Sequence, residues 1–203
     1  MTITAIKQTS PDRLTVCIDN GEEIKTNLGV VTEFRLYSGR ELDEAELGEL
    51  KARSGQERAK ERALELLSRR MLSAKELRER LERKGENEEN IEACIEWLSQ
   101  RGFLDEEAYA AALSRHYASK GYGAGRLRAE LSRRGVERQF WDEAIEQMPE
   151  NDGALDRFIS ARLKDPDDRE QIRKISAALY RRGYSWEQIR QALRRFNAQE
   201  EDY

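Results

Sequence analysis

The sequence predicts a mainly α-helical protein: three tandem three-helix repeats in an elongated, curved array, preceded by a small N-terminal β-hairpin element. Three observations predict this fold class. Apolar and polar residues alternate with a period of two only near the start of the chain. Farther along, apolar residues recur at the spacing of one helix face, and a basic pair followed by glycine occurs three times. The first pattern is typical of strands, and the others are typical of repeated helical units.

Strand-like alternation occupies three short segments, 3–8, 14–19 and 22–28. Asn20 and Gly21 lie between the last two segments, and both residue types tolerate the positive φ that a type I′ turn requires. The sequence therefore predicts a β-hairpin at this turn, extended by a third strand.

Two helices are predicted between the strands and the repeats. Residues 29–37 carry apolar residues at partly helical spacing and end at a Ser-Gly pair, which favours helix termination. Residues 43–53 predict an acidic, exposed helix. These features assign residues 1–53 to an N-terminal part of the chain that is distinct from the repeats.

Segments that contain leucine, a basic pair and glycine end at Gly85, Gly135 and Gly183, at nearly equal intervals. Equal spacing implies repeated supersecondary units, each with one helix before and one after the central helix. The predicted helices are 57–70, 73–84, 88–101, 105–119, 123–134, 137–147, 153–164, 168–182 and 185–196. The repeats are accordingly predicted at 54–102, 103–149 and 150–203, the last with a C-terminal tail.

Capping chemistry supports these helix boundaries. Ser54, Ser73 and Ser185 are each followed three residues later by Glu or Gln, which is the pattern of a capping box. Asp105 is an N-cap residue of another helix. The glycines that end the three repeated segments suit the left-handed position that follows many helices.

Each predicted repeat buries only a small apolar core. Units of about 45 residues are marginally stable alone, because ordering costs roughly 1.5 kcal/mol per residue. We therefore expect each unit to pack on its neighbours or on a partner. Trp97, Trp141 and Trp186 lie in or at the start of third helices, where we expect core or inter-repeat packing.

Composition limits the class of protein. The chain has 36 basic and 40 acidic residues and a net charge of −4, which argues against coating bare DNA through bulk positive charge. No segment approaches the roughly 20 apolar residues needed to cross a bilayer. Met1 to Gln8 lack the hydrophobic stretch of a signal peptide. We expect a cytoplasmic protein without membrane association.

Catalytic and metal-binding patterns are missing from the sequence. His116 is the only histidine, and no nucleophile, base or metal-ligand spacing can be built around it. Cys17 and Cys94 are too few and too far apart for a disulfide framework or a zinc site, so we expect reduced structural thiols. The many carboxylates alternate with basic residues at helical spacing, as on a solvated helix surface. We expect a protein that is not an enzyme and uses no cofactor.

Positive charge is concentrated in the middle of the chain. From Arg115 to Arg138, seven basic and two acidic residues give a local charge of +5 in an otherwise acidic protein. Two explanations of this excess stay open: exposed charge or complementation of helix ends, and a phosphate-rich or acidic partner. The candidate binding residues are Arg115, Lys120, Arg126, Arg128, Arg133 and Arg134. The nearby segment 121–125 either forms a tight turn with Tyr122 packed inside or contributes to binding.

Three strings in this region resemble the RecX family of regulatory proteins. They are Gly-Phe-Leu-Asp at 102–105, Lys-Gly-Tyr-Gly at 120–123 and Arg-Arg-Gly-Val at 133–136, in the order and spacing of that family. The resemblance extends over residues 55–196, and its third repeat matches more loosely. It implies a cytoplasmic bacterial protein that binds RecA in its DNA-bound filament and needs no cofactor.

The resemblance also implies an activity. Such a protein lies in the groove of the RecA–DNA filament and limits filament growth, ATP hydrolysis, strand exchange and coprotease activity, which places it in homologous recombination, DNA repair and the SOS response. Our hypothesis is that the six candidate basic residues bind RecA or its DNA. The acidic overall charge favours protein contact as the main source of affinity, with weak direct DNA contact. Nothing in the pattern demands a dimer, so we expect a monomer.

Two alternatives stay open at this point. One is a helical-repeat nucleic-acid-binding module that acts directly on DNA, and the other is a helical scaffold for some other protein. The N-terminal β element is absent from shorter members of the family. Its role is equally open between a lid, a second RecA contact and a packing cap.

Overall fold

The computed structural model describes the backbone of residues 1–201 and the side chains of residues 1–197, so the last two residues of the predicted C-terminal tail lie outside it. Within this range a three-stranded antiparallel sheet precedes ten α-helices, which confirms the mainly helical fold class. The strands are β1 (Ile3–Ser10), β2 (Arg13–Ile18) and β3 (Glu23–Asn27). The helices are α1 (Leu28–Glu33), α2 (Glu44–Leu67), α3 (Ala74–Arg83), α4 (Glu88–Gln100), α5 (Glu106–Ser119), α6 (Ala124–Arg133), α7 (Trp141–Glu146), α8 (Asp152–Ser160), α9 (Arg169–Arg181) and α10 (Trp186–Glu201).

The sheet has the strand order β1-β2-β3, and Val16 at its centre pairs with Ile6 on one side and Ile24 on the other. The predicted hairpin is present, but the prediction of a type I′ turn is wrong. Gly21 has a φ of 86°, whereas no non-glycine residue of the described chain other than Arg35 has a positive φ. The Asn20 side chain instead accepts a hydrogen bond from the Glu22 amide at 2.9 Å, within a longer loop.

Helix α1 is shorter than the predicted helix 29–37. Arg35 adopts a φ of 50°, and the Leu36 amide donates back to the Val31 carbonyl at 2.9 Å. A left-handed residue directly after the last turn is a common way for a helix to end. It directs Leu36 into the core beneath the sheet, where that side chain is buried.

Helix α2 is continuous, so the two separate helices predicted at 43–53 and 57–70 are wrong. Its N-terminus is capped by Asp43, whose carboxylate accepts from the Glu46 amide at 2.8 Å in a capping box. Ser54, predicted to start a helix, is buried in the middle of α2, and its hydroxyl donates to Thr26 Oγ1 at 3.0 Å. A residue of strand β3 therefore accepts the hydrogen bond of the serine that resembled a cap.

The caps predicted at Asp105, at Ser185 and at the three repeated glycines agree with the structure. Gly85, Gly135 and Gly183 have φ values of 80°, 71° and 91°, as expected after helix ends. Asp105 caps α5 by accepting from the Ala108 amide at 2.7 Å. The box at Ser185 is complete, because the Ser185 amide donates to Gln188 at 3.0 Å and the Gln188 amide donates to Ser185 at 3.2 Å.

Three further predicted helices differ in extent from the observed ones, and one of them, α10, extends to Glu201, five residues beyond its predicted end. Residues predicted as one helix at 137–147 form a 3₁₀ turn, Arg138–Phe140, followed by the six-residue α7. Helix α8 ends at Ser160, four residues before the predicted end. The repeated pattern of helix, central helix and helix is unaffected by these shifts.

The chain divides into two compact units. One comprises Met1–Leu72 with Glu76–Leu104, and the other comprises Ser73–Lys75 with the chain from Asp105 onward. The first unit contains the core under the sheet and the core of the first repeat. The second contains the cores of the second and third repeats. The predicted boundaries at 53/54, 102/103 and 149/150 stay predictions, although α2 passes through the first of them.

The tryptophans differ from one another. Trp97 and Trp141 pack against the cores of their repeats, as predicted. Trp186 is 52% exposed, so its predicted core packing is wrong.

Cys17 and Cys94 are both buried and free, at distant positions in the first unit. No helix in the described part of the chain combines the length and apolar character needed to cross a membrane.

Candidate binding surface

All six predicted binding residues lie in the second unit. Arg115 is on α5 and Lys120 follows the last turn of that helix. Arg126, Arg128 and Arg133 are on α6, and Arg134 is its C-cap. Helix α6 has its apolar face, Leu127 and Leu131, in the core, so most of its basic residues are directed outward.

Three of these arginines surround one buried carboxylate. Glu130 is only 5% exposed. Arg133 Nη2 lies 2.7 Å from Glu130 Oε2, Arg134 Nε lies 3.3 Å from the same oxygen, and Arg126 Nη2 lies 3.3 Å from Oε1. Arg134 also donates to the hydroxyl of Tyr109 at 2.8 Å. The three arginines therefore stabilise a charge inside α6 in addition to any role in binding.

The ionisation of Glu130 follows from these contacts. Burial alone raises the pKa of the carboxyl, but the hydrogen bonds and charge of Arg133, together with those of Arg134, outweigh it and lower the pKa overall. Glu130 is therefore ionised at neutral pH. Three guanidinium groups around one carboxylate leave a local charge of +2.

The other three predicted residues have a different environment. Arg115, Lys120 and Arg128 are exposed. No carboxylate of the described side chains lies within ion-pair distance of any of them. Their charge is therefore available to a partner, and their role in binding stays a prediction.

The glycine-rich turn before α6 fits against the end of α9. The Gly123 amide donates to the Arg182 carbonyl and the Gly125 amide donates to the Gly183 carbonyl, both at 2.9 Å. A Cβ on Gly123 would lie 2.4 Å from Gly183 O, and a Cβ on Gly183 would lie 2.1 Å from Arg126 N. The second and third repeats are thus joined backbone to backbone, an interlock that neither alternative interpretation of segment 121–125 contained.

Tyr122 is half-buried beside this interlock. Its ring lies 5.5 Å from that of Tyr117, and the guanidinium groups of Arg182 and Arg126 lie 5.6 and 6.0 Å from its centre. This packing of Tyr122 agrees with the first alternative for segment 121–125, a tight turn. The contact with Arg182, a residue of the third repeat, was not predicted.

A groove of about 420 Å³ runs between α6 and the turn that joins α9 to α10. Three arginines line it, Arg126, Arg128 and Arg181, and no Asp or Glu does. The remaining lining is Ala124, Gly125, Ala129, Tyr180, Gly183, Tyr184, Ser185 and Gln188. Sequence interpretation missed Arg181, because it lies outside the basic segment, although its own Arg-Arg-Gly string was a usable signal.

Within the described residues, no group of three or more His, Cys, Asp or Glu side chains is arranged to hold a metal ion. His116 is exposed, and the centre of its ring lies 5.7 Å from that of Tyr117 in an edge-to-face arrangement. The surface is suited to binding an anionic ligand by charge and shape.

Family models match all three repeats. The models of the first, second and third three-helix domains of RecX match residues 59–98, 105–145 and 160–193, respectively. The three-helix repeats predicted from the sequence are thereby confirmed.

Curated relatives of this chain are described as the regulatory protein RecX. The regulatory protein RecX of Vibrio parahaemolyticus is 33% identical over 139 residues, which make up 66% of this chain and 89% of that protein. The regulatory protein RecX of Clostridium acetobutylicum is 28% identical over 204 residues and is matched over 95% of both chains.

Solved structures share the fold. A crystal structure of a regulatory protein RecX has a TM-score of 0.73 at 24% identity, covering 92% of this chain and 96% of that one. The crystal structure of RecX from Lactobacillus salivarius has a TM-score of 0.64 at 18% identity, covering 71% and 97%. The first of these includes most of the N-terminal part as well as the repeats.

Proposed function

We propose that this protein, which belongs to the RecX family of regulatory proteins, is a negative regulator of the RecA recombinase. The observation that carries the proposal is the match of three successive three-helix domains in the order of that family. Its partner is RecA in the DNA-bound filament, in the bacterial cytoplasm. The protein acts as a monomer and by binding, without catalysis or a cofactor.

The basic surface supplies the contact in this proposal. Arg115, Lys120 and Arg128 are exposed cations without an ion-pair partner among the described side chains. Arg126 and Arg133 keep 46% and 66% of their side chains exposed while they contact Glu130. Such a surface is complementary to DNA phosphates or to acidic RecA residues in the filament groove. Occupation of that groove limits filament growth and, with it, ATP hydrolysis, strand exchange and coprotease activity.

The rate of single-stranded-DNA-dependent ATP hydrolysis by the cognate RecA tests this function. We expect hydrolysis to fall when the protein is added well below the concentration of RecA, because an effect on filament growth is propagated along many subunits. Unchanged hydrolysis at an excess of the protein would overturn the proposal. The mechanism can be followed in the same samples by electron microscopy of filament lengths.

Charge reversal tests the site. Replacing Arg115, Lys120 and Arg128 together by Glu is expected to weaken inhibition, since each change removes an available cation and adds a charge of the wrong sign. Arg169→Glu is the matched control: it is exposed, in the same unit, and lies in the first turn of α9, where a negative charge favours the helix. Equal inhibition by the triple variant and the control would remove these residues from the binding surface.

A direct DNA-binding module is the second candidate. The observation that favours it is the groove beside α6, which is lined by arginines and by no carboxylate. Binding to naked DNA that falls steeply with salt, together with no effect on RecA, would favour this candidate over the first.

A further inference from the structure

Two aromatic side chains form an exposed stack at the rim of this groove. Tyr180 lies in the last turn of α9 and Trp186 is the first residue of α10. Their ring centres are 5.1 Å apart with planes inclined by 18°. The two residues are nevertheless 54% and 52% exposed. Large aromatic residues normally bury such area in a core or an interface, so an exposed stack indicates a surface that receives a ligand.

Cations surround the stack. Arg181 follows Tyr180 directly and lines the groove with Arg128, and Arg190 lies one turn after Trp186 on the same face of α10. All three are exposed. No described carboxylate forms an ion pair with any of them. Glu187, which follows Trp186, forms no ion pair with these arginines. In a chain with 40 acidic residues, a groove that no Asp or Glu lines is selective for an anion.

The interlock described above holds this arrangement in place. The hydrogen bonds from Gly123 and Gly125 to the third repeat fix α6 against the turn that carries Arg181 and precedes Trp186. Tyr184, in the same turn, is buried in the core of the third repeat. The cations and the aromatic stack are therefore set by backbone contacts before a ligand arrives, which lowers the entropy lost on binding.

We propose that this surface, the Tyr180–Trp186 stack with Arg128, Arg181 and Arg190, binds single-stranded DNA. A base extends the aromatic stack and the adjoining phosphates lie against the arginines. Proteins bind single strands without sequence preference by this combination of aromatic faces and a positive groove. In a duplex the base faces are covered by neighbouring pairs, and an acidic peptide would engage the cations while leaving the rings without a planar partner. For its biological setting the inference rests on the proposed function, and it names the ligand of one part of that site.

The test measures binding of a fluorescent oligo(dT) of about 16 nucleotides by anisotropy at low ionic strength, without RecA. Trp186→Ala and Tyr180→Ala are each expected to weaken binding about tenfold, which is the usual size of the effect when an aromatic side chain that stacks on one base is removed. Arg128→Glu combined with Arg181→Glu is expected to weaken binding and to reduce its dependence on salt. Arg169→Glu, at the opposite end of α9, is expected to bind as the unmodified chain does.

Several outcomes would overturn the assignment. They are unchanged affinity of both aromatic variants, equal competition by a duplex of the same length, and full competition by free ATP or dTMP at equal nucleotide concentration. If the aromatic variants bind oligo(dT) normally but no longer inhibit RecA, the surface docks a protein segment instead. Because Tyr180 and Trp186 are exposed, circular dichroism is expected to show that their variants stay folded. Failure of the unmodified chain to affect RecA is a separate readout and tests only the proposed function.

Discussion

Glu130 shows why a count of basic residues overstates a binding site. A buried carboxylate is stable only when it is paired, and three of the six predicted binding residues contact this one. The sequence places Arg133 and Arg134 directly before a helix-ending glycine, where positive charge also favours the helix dipole. Their presence therefore follows from the stability of α6 whether or not a partner binds there.

Glu130→Gln is expected to reduce the free energy of unfolding by about 2 kcal/mol at pH 7. Removing one member of a fully buried charged pair costs about 3–5 kcal/mol. Solvent around Arg126 and Arg133 reduces that value. Urea denaturation measures the change. Glu146→Gln, an exposed residue of α7 without an ion pair among the described side chains, is the control and should change stability by no more than about 0.5 kcal/mol. Equal midpoints for the two variants would contradict this role for Glu130.

The contribution of Glu130 should depend on pH. Its pKa is lowered in the folded protein, so its stabilising effect is complete above the unfolded value of about 4.3 and is lost as pH falls through the folded value. The quantity to measure is the stability difference between the unmodified chain and Glu130→Gln, because Glu106, whose pKa is raised by burial, changes stability in the opposite sense. We expect this difference to shrink steadily from pH 5 downward. A constant difference from pH 7 to pH 3 would show that the pair is not coupled to protonation.

At the scale of elements, local patterns predicted several helix caps well, but predicted helix length and continuity poorly. The box at Ser185, the cap at Asp105 and the three left-handed glycines depend only on residues close in sequence. The break predicted at Ser54 depends on what packs around it. There the Thr26 hydroxyl takes the hydrogen bond, and Gly55 lets α2 approach Asn90 so closely that a Cβ would lie 2.4 Å from its side chain. Both partners are distant in sequence, so local sequence patterns could not predict them.

The interlock between the second and third repeats gives a matched pair of glycine variants. Gly85 and Gly183 end equivalent helices with φ values of 80° and 91°. A Cβ on Gly85 meets nothing within 4 Å, whereas a Cβ on Gly183 would lie 2.1 Å from Arg126 N. We expect Gly85→Ala to cost about 1 kcal/mol for the left-handed backbone alone. Gly183→Ala should cost about 3 kcal/mol or more, because close packing adds to that cost.

Thermal or urea unfolding of each variant against the unmodified chain measures this difference. Gly183→Ala should also weaken oligo(dT) binding, since it displaces the turn that sets Arg181 and Trp186, whereas Gly85→Ala should not. If the two variants lose equal stability, the close approach of Gly183 to α6 contributes nothing beyond backbone conformation.

At the scale of the whole chain, charge along the sequence located the basic surface but not its full membership. Arg128 could be predicted because it lies within the basic segment. Arg181, Tyr180 and Trp186 could not, since they join Arg128 only when the third repeat packs on the turn before α6. Trp186 in particular was expected to pack in a core or between repeats on the basis of residue type, whereas it is 52% exposed. Contacts between repeats determine which residues form such a surface. A single sequence indicates those contacts only through features such as the paired glycines.

The distribution of the core leads to a prediction about cooperativity. In the described part of the chain, buried apolar residues form four separate clusters: one under the sheet and one in each repeat. Small clusters that share few contacts open with different free energies, so native-state hydrogen exchange should resolve them. We propose that the predicted division into an N-terminal part and three repeats describes these units, with α2 as the helix common to the first two.

Leu50→Ala and Ile159→Ala test this division. Leu50 is fully buried in the cluster under the sheet, and Ile159 is fully buried in the third repeat. Each substitution removes buried apolar volume and should cost about 3 kcal/mol. Hydrogen exchange measured by mass spectrometry should then accelerate for Leu50→Ala in the strands and the first half of α2, and for Ile159→Ala in α8 to α10. If either substitution accelerates exchange evenly over the whole chain, the clusters unfold as one cooperative unit. The repeats are then repeats of the sequence pattern that do not unfold independently.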